Sequence, residues 1–201
     1  MAVESINPWT GAVEYRYDYQ GEAVVEAALA AARRAFEPWA ALGVAKRGEF
    51  VRALGAELRK QREDIASTMV AEMGKLRREA LAEIEKCAGA CDYYAGHAEQ
   101  YLHEQPIATE AVKSYVSYEP IGCVFAVMPW NFPIWQVFRF LAPSLMAGNV
   151  ALLKHATNVP RDRRTEHLVR FRGIRRQAAG AVGHQRGELG QTQAEDHAGR
   201  R

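Results

Sequence analysis

The chain has 201 residues, of which 48% are apolar, and its formal net charge is +2. This apolar content is enough for a packed core, whereas the small net charge by itself indicates little about the function. The charge is nevertheless unevenly distributed, because residues 161–201 contain 10 Arg, no Lys and 5 acidic residues. Three cysteines without a secretory context indicate reduced thiols, and we therefore expect a cytoplasmic protein.

No segment of the sequence has the properties of a membrane anchor. Residues 1–8 lack a basic region followed by an apolar run, so we expect no signal peptide. Residues 120–138 form a stretch of 19 residues without a charge, which is long enough to span a bilayer. Pro129 and Pro133, with the amide side chains of Asn131 and Gln136, would leave polar groups near the middle of the bilayer unsatisfied. We interpret this stretch as buried core.

The first 102 residues are predicted to form one strand and three helices. Residues 13–19 alternate apolar and charged side chains, as a half-buried strand does, after a turn at Thr10 and Gly11. Three helices are then predicted over residues 22–39, 44–73 and 76–102, with Gly74 ending the second. Small residues form a narrow seam along the third helix and should allow another helix to approach closely.

The remaining features of this region are one strand and a pair of cysteines. Residues 111–118 are predicted to form an edge strand or an oligomer strand. Cys87 and Cys91 stand four residues apart on the third helix, but no third and fourth ligand is spaced near them. We interpret them as core thiols and predict no metal site.

A parallel βαβ unit is predicted between residues 121 and 154. Residues 121–127 have no charge and favour a strand buried on both faces, so Cys123 is expected to be buried. Residues 134–146 form the crossover helix, and residues 150–153 form the second strand. Asn131 and Lys154 follow the ends of these two strands. They should therefore lie at the same edge of the sheet, where open parallel sheets bind their ligands.

The sequence changes character after about residue 160. Residues 161–201 have one aromatic residue, six Gly and four Gln, and no sustained period. We predict two segments, residues 1–160 and a basic tail over residues 161–201 that provides no third strand and stays largely disordered. A frame-shifted reading of the gene and a natural extension both explain such a tail. Five acids among its ten Arg argue against nucleic-acid binding.

Several short motifs resemble those of the NAD(P)-dependent aldehyde dehydrogenase superfamily. The order and spacing of these motifs agree with those of the family over residues 5–160. The whole set is therefore far more specific than any single motif. The motifs are Ile6–Asn7–Pro8, Glu72–Met73–Gly74–Lys75, Glu119–Pro120–Ile121–Gly122, Pro129–Trp130–Asn131–Phe132–Pro133 and Leu152–Leu153–Lys154.

The resemblance implies an α/β fold in which N-terminal helices precede the first βαβ unit of a Rossmann-like parallel sheet, incomplete relative to the family. It also implies oxidation of an aldehyde to its acid with NAD or NADP, by a homo-oligomer when the protein is complete. Asn131 matches the family's oxyanion-hole asparagine, and Met128, Pro129, Trp130 and Lys154 match its cofactor-binding positions. The residues after Lys154 resemble the succinate-semialdehyde branch.

The family's nucleophilic cysteine and general-base glutamate lie beyond the matching region. We therefore expect this chain to be inactive alone. The alternative is a non-catalytic oligomerisation or binding module derived from the same family. For Asn131 the alternative role is to cap the crossover helix.

Overall fold

The computed structural model describes residues 2–160 and the backbone of Val182 and Gly183. Two strands open the chain, β1 (Ala2–Ile6) and β2 (Val13–Asp18), and they pair antiparallel. The strand predicted over residues 13–19 is thus confirmed, with Tyr15 and Tyr17 half-buried. Its partner β1 was not predicted, because the segment is short and ends in a turn.

Four helices follow this hairpin where three were predicted. They are α1 (Glu22–Ala40), α2 (Val44–Lys60), α3 (Arg62–Met73) and α4 (Arg77–Leu102). The single helix predicted over residues 44–73 was wrong, because the chain breaks at Gln61 within a run of polar residues. Two acids in the first turn of α3 favour a new start there. Gly74 ends α3 in the left-handed conformation, with φ 68°, as predicted.

The tightest helix contact joins α2 and α4 along the predicted seam. A Cβ atom placed on Gly55 would lie 3.0 Å from Cys91 Cβ, and one placed on Gly48 would lie 3.2 Å from Ala95 O. The two helices therefore approach closely only because glycines on α2 face small residues on α4. Cys87 and Cys91 are fully buried in this core, as expected. The helical core also includes Trp39, Leu54, Leu58, Met69 and Ile84.

After α4 the chain forms a short hairpin and then the βαβ unit. The hairpin pairs β3 (Gln105–Pro106) with β4 (Tyr115–Val116), so only two residues of the strand predicted over 111–118 are extended. The βαβ unit contains β5 (Cys123–Val127), α5 (Trp135–Met146) and β6 (Val150–Lys154). β5 and β6 are parallel, which confirms the predicted unit.

Two predictions about the sheet were wrong. The tail does provide a strand, because β7 (Val182–Gly183) pairs parallel with β6 and gives the order β5-β6-β7. Two residues are too few to show a period in the sequence. In addition β5 is not buried on both faces, since Phe125 is 64% exposed, Val127 is 60% exposed and Cys123 is also exposed.

The other predictions for residues 161–201 lie outside the described residues. α1 packs against β6 and β7, and α5 packs against β6 and α4. No helix in the described part of the chain is both long and apolar enough to cross a membrane.

Candidate functional site

The candidate site begins where β5 and β6 end. Val127 and Lys154 are opposite each other in the register of the two strands. Met128 N then donates a hydrogen bond to Lys154 O at 3.0 Å, which extends the ladder one residue beyond β5. The loop that contains Asn131 and the loop that follows Lys154 therefore leave the sheet from the same edge. This is the edge at which parallel sheets bind their ligands.

The loop between β5 and α5 exposes Asn131. Its neighbours Trp130 and Phe132 are 53% and 45% exposed, whereas Ile134 is fully buried and fixes the end of the loop in the core. The Asn131 side chain makes no hydrogen bond to any residue in the described part of the chain. It does not cap α5, whose N-cap residue is Ile134. An amide held at the sheet edge with its donor groups free can bind an oxygen atom of a ligand.

Glu83 on α4 holds the first turn of α5 instead. Its Oε1 atom accepts hydrogen bonds from Ile134 N at 3.0 Å and Trp135 N at 2.8 Å. These are among the backbone donors that a helix start leaves without an intrahelical partner. A buried carboxylate here also interacts favourably with the positive end of the helix dipole. The position of the Asn131 loop is therefore tied to α4.

Two lysines pack against the same loop and the start of α5. Lys75 Nζ forms an ion pair with Glu83 Oε2, and both side chains are almost fully buried, at 7% and 2% exposure. The same ammonium lies 4.0 Å from the centroid of the Phe132 ring. Lys86 Nζ lies 4.0 Å from the centroid of the Trp135 ring. Cations in these positions are attracted by the aromatic rings, so Lys75 and Lys86 hold the end of the loop and the first residue of α5 in place.

Sequence reasoning missed the role of Glu83, although a signal was present. Glu83 occurs in the buried stripe of α4, beside Ala80, Ile84 and Cys87. An acid in an apolar stripe is rare unless it is paired. Lys75, by contrast, was part of a motif, but its partner was not predicted.

Lys154 lies beside a cavity. The cavity has a volume of about 580 Å³ and is lined mainly by apolar side chains of α1, β5 and β6, together with Asp18 and Lys154. Met128, Pro129, Trp130 and Asn131 are not part of its described lining. The structure thus brings Lys154 to this cavity and leaves the other predicted site residues on the loop between β5 and α5.

None of the three thiols has the properties of an activated nucleophile. Burial raises the pKa of Cys91 to about 12, and burial together with the nearby Glu83 charge raises that of Cys87 as well. Both thiols are therefore protonated at neutral pH, whereas nucleophilic cysteines need a lowered pKa. Partial burial raises the pKa of Cys123 on β5 as well, so this thiol is not activated either. No group of three potential metal-ligating side chains is present among residues 2–160, and the absence of a metal site stays a prediction.

A family model described as the aldehyde dehydrogenase family matches residues 1–163. The chain belongs to the aldehyde dehydrogenase family. Among curated relatives, a probable succinate-semialdehyde dehydrogenase [NADP(+)] of Synechocystis sp. is 46% identical over 160 residues, and the match covers 80% of this chain and 35% of that protein. The succinate-semialdehyde dehydrogenase [NADP(+)] of Mycobacterium avium is 43% identical over 164 residues, with the same coverage.

Solved structures of this family have the same fold over the matching part. A succinic semialdehyde dehydrogenase from Streptococcus pyogenes in complex with NADP+ superposes with a TM-score of 0.83 at 32% identity, covering 90% of this chain and 39% of that one. This aldehyde dehydrogenase chain therefore spans about a third of the length of the curated relatives it matches.

Proposed function

We propose that this chain provides the oxyanion donor and one edge of the cofactor site of an NADP-dependent succinate-semialdehyde dehydrogenase. The observation that supports this most is the shared sheet edge, where Met128 N bonds to Lys154 O and Asn131 stands exposed in the adjoining loop. The names of the relatives support both the succinate semialdehyde substrate and NADP.

The described residues of this chain can contact only one side of a bound cofactor, the side at the shared edge of β5 and β6. Lys154 is exposed at the strand end and borders the cavity, so its ammonium can donate hydrogen bonds to a ribose hydroxyl. Met128, Pro129 and Trp130 adjoin it at the same edge and would line the next part of the cofactor. NADP, when bound, supplies the hydride acceptor for aldehyde oxidation.

Asn131 would act on the aldehyde oxygen. Its amide donates a hydrogen bond to that oxygen as negative charge develops during nucleophilic attack, and such a donor contributes about 3 kcal/mol to transition-state stabilisation. Glu83 and Lys75 hold the loop in place, so the donor is positioned before the substrate arrives. The buried Cys87 and Cys91 are unsuited to the attack itself. We therefore propose that the chain is inactive alone.

Titration of NADP into the 201-residue chain tests the cofactor edge. We expect Lys154→Met to weaken NADP binding about tenfold, the effect of losing roughly 1.4 kcal/mol of interaction. Lys60→Met is the matched control, because Lys60 is exposed on the last turn of α2 and should leave binding unchanged. Equal binding by wild type and Lys154→Met, or no binding by wild type, would overturn the proposed role of Lys154.

The inactivity is tested by incubating the chain with succinate semialdehyde and NADP. We expect NADPH formation no faster than in buffer. Turnover at an ordinary enzymatic rate, about 10 per second, would contradict the proposal.

An assembly module is the second candidate function. The β3–β4 hairpin favours it, because Val112, Tyr115 and Tyr118 are exposed there. Co-purification of the chain with an intact relative, lost on Tyr115→Glu, would support this candidate. A cytoplasmic location, which the three free thiols favour, is part of either proposal.

A further inference from the structure

The N-terminal hairpin of β1 and β2 holds the loop that follows Lys154. The Tyr17 hydroxyl on β2 donates a hydrogen bond to Thr157 O at 2.9 Å, and Ser5 Oγ on β1 donates one to Asn158 O at 3.2 Å. The two acceptors lie three and four residues beyond Lys154, which ends β6. The hairpin thus binds the chain directly after the lysine at the proposed cofactor edge.

Ser5 shows how closely the hairpin and this loop are packed. Its exposure is 0%, although serine is mostly exposed in folded proteins. A buried hydroxyl is costly unless it forms a hydrogen bond, and the Asn158 carbonyl is the acceptor here. The burial of β1 and the path of the loop after Lys154 therefore depend on each other.

Tyr17 holds the same loop at the wall of the cavity. It lines the cavity together with Lys154 and Thr157. The hydrogen bond to Thr157 O therefore joins the cavity wall to the loop at a point three residues beyond the lysine. A loop held in this way has few conformations before a ligand arrives. A preorganised site loses less conformational entropy on binding and so binds more tightly.

The turn of the hairpin contacts the support of the other site loop. Pro8 packs against Gly74, where a Cβ atom would lie 2.9 Å from Pro8 Cγ. The next residue, Lys75, places its ammonium 4.0 Å from the centroid of the Phe132 ring, in the loop that contains Asn131. The hairpin is therefore fixed at its turn as well as along its strands, and it provides a firm support for the loop after Lys154.

We propose that Tyr17 and Ser5 are positioning residues for cofactor binding, because they hold the loop after Lys154 in the conformation to which NADP binds. This inference rests on the proposed function, which assigns Lys154 to the cofactor. Each of the two residues acts through a backbone carbonyl of the loop and not through a contact with NADP. Without these bonds the loop adopts more conformations, and NADP binds only the fraction of molecules in the competent one.

Hydrogen exchange followed by mass spectrometry tests the hold on the loop in the 201-residue chain. Tyr17→Phe keeps the ring and removes only the hydroxyl that binds Thr157 O. We expect residues 155–159 to exchange about fivefold faster in this variant than in wild type, with exchange in α2 and α4 unchanged. A general loss of stability would instead accelerate exchange in those helices as well. Unchanged exchange of residues 155–159 would overturn the inference.

Saturating NADP separates a positioning role from a merely structural one. If the loop is held in the conformation that NADP binds, residues 155–159 should exchange equally slowly in wild type and in Tyr17→Phe once both are saturated. Bound NADP then replaces the missing hydrogen bond in selecting that conformation. Fast exchange that persists in the saturated variant would overturn the inference.

Titration of NADP measures the effect on affinity. Tyr17→Phe should weaken NADP binding about fivefold, which corresponds to about 1 kcal/mol and to the net contribution of one hydrogen bond. Ser5→Ala should weaken it as well. Tyr101→Phe is the matched control, because it removes a hydroxyl that bonds to Tyr93 Oη at 2.6 Å, about 27 Å along α4 from Glu83. It should leave both the affinity and the exchange of the loop unchanged.

The outcomes distinguish this inference from the proposed function. Equal NADP affinities for wild type and Tyr17→Phe would overturn the inference and leave the proposed function in place. No NADP binding by wild type would contradict the proposed function. In that case faster exchange of residues 155–159 in Tyr17→Phe, with Tyr101→Phe unchanged, would still support the hold of the hairpin on the loop.

Discussion

Glu83 and Arg47 bind opposite ends of α5. Glu83 accepts hydrogen bonds from Ile134 N and Trp135 N at the start of the helix, and Arg47 Nε donates one to Met146 O at 3.0 Å at its end. Each charge matches the sign that the helix dipole favours at that end. Because α5 begins four residues after the exposed Asn131, these two buried residues determine where that amide is held.

Removal of the Glu83 carboxylate should strongly destabilise the fold. Glu83→Ala leaves the buried Lys75 ammonium without its partner and two backbone donors without an acceptor. The loss of one member of a buried ion pair costs about 3–5 kcal/mol, and we expect a decrease of that size in the free energy of unfolding. Urea denaturation followed by circular dichroism measures it.

An exposed ion pair provides the control for Glu83. Glu49 pairs with Lys46 at the surface of α2, so Glu49→Ala should change the free energy of unfolding by less than about 1 kcal/mol. Lys75→Met combined with Glu83→Gln should cost less than the sum of the two single variants, because the partners are removed together. Additive costs, or a loss for Glu83→Ala as small as that for Glu49→Ala, would contradict the interpretation.

Gly74 should not tolerate a side chain. It ends α3 with φ 68°, and a Cβ atom there would lie 2.9 Å from Pro8 Cγ. Gly74→Ala should therefore lower the free energy of unfolding by about 2 kcal/mol, through backbone strain and the contact with Pro8. Gly96→Ala on α4 is the opposite case, because no atom of the described residues beyond its chain neighbours and the adjacent helix backbone lies within 4 Å of its Cβ position. It should stabilise the helix by about 0.5–1 kcal/mol in the same denaturation experiment. A higher free energy of unfolding for Gly74→Ala than for wild type would contradict this prediction.

Elements whose signal is local could be predicted from the sequence. The crossover helix, the strand at Val150 and the left-handed end at Gly74 follow from residues close together in the chain. The shared edge of Asn131 and Lys154 follows from the geometry of any parallel βαβ unit. These features do not depend on what packs around them.

Features that depend on distant partners could not be predicted. The exposure of Phe125 depends on whether another segment covers β5, and its own sequence is that of a covered strand. The bond between Glu83 and Trp135 N joins residues 52 positions apart, so no local pattern indicates it. β7 has only two residues, and its pairing with β6 rests on backbone geometry that side-chain periodicity does not reveal.

Thiol labelling should distinguish Cys123 from the other two cysteines. Cys87 and Cys91 are buried between α4 and its neighbours, whereas Cys123 is exposed on β5. A thiol reagent should therefore modify one cysteine in the folded chain and three after denaturation. Mass spectrometry of the labelled peptides identifies the site, and Cys123→Ala should abolish labelling of the folded protein. Rapid native labelling of Cys91 would show that the α2–α4 contact is open.

Alkaline pH should destabilise the folded chain through its buried thiols. Burial raises the pKa of Cys91 from its ordinary value of 9.0 to about 12, so above pH 9 the unfolded chain loses this proton while the folded chain keeps it. The contribution of the neutral Cys91 thiol to the free energy of unfolding is complete below pH 9 and is lost as the pH rises toward 12. The free energy of unfolding should fall by up to about 1.4 kcal/mol per pH unit for this thiol. Urea denaturation at several pH values should show a smaller slope for Cys91→Ala than for wild type, because all other groups are common to both. Parallel curves for the two proteins would contradict the prediction.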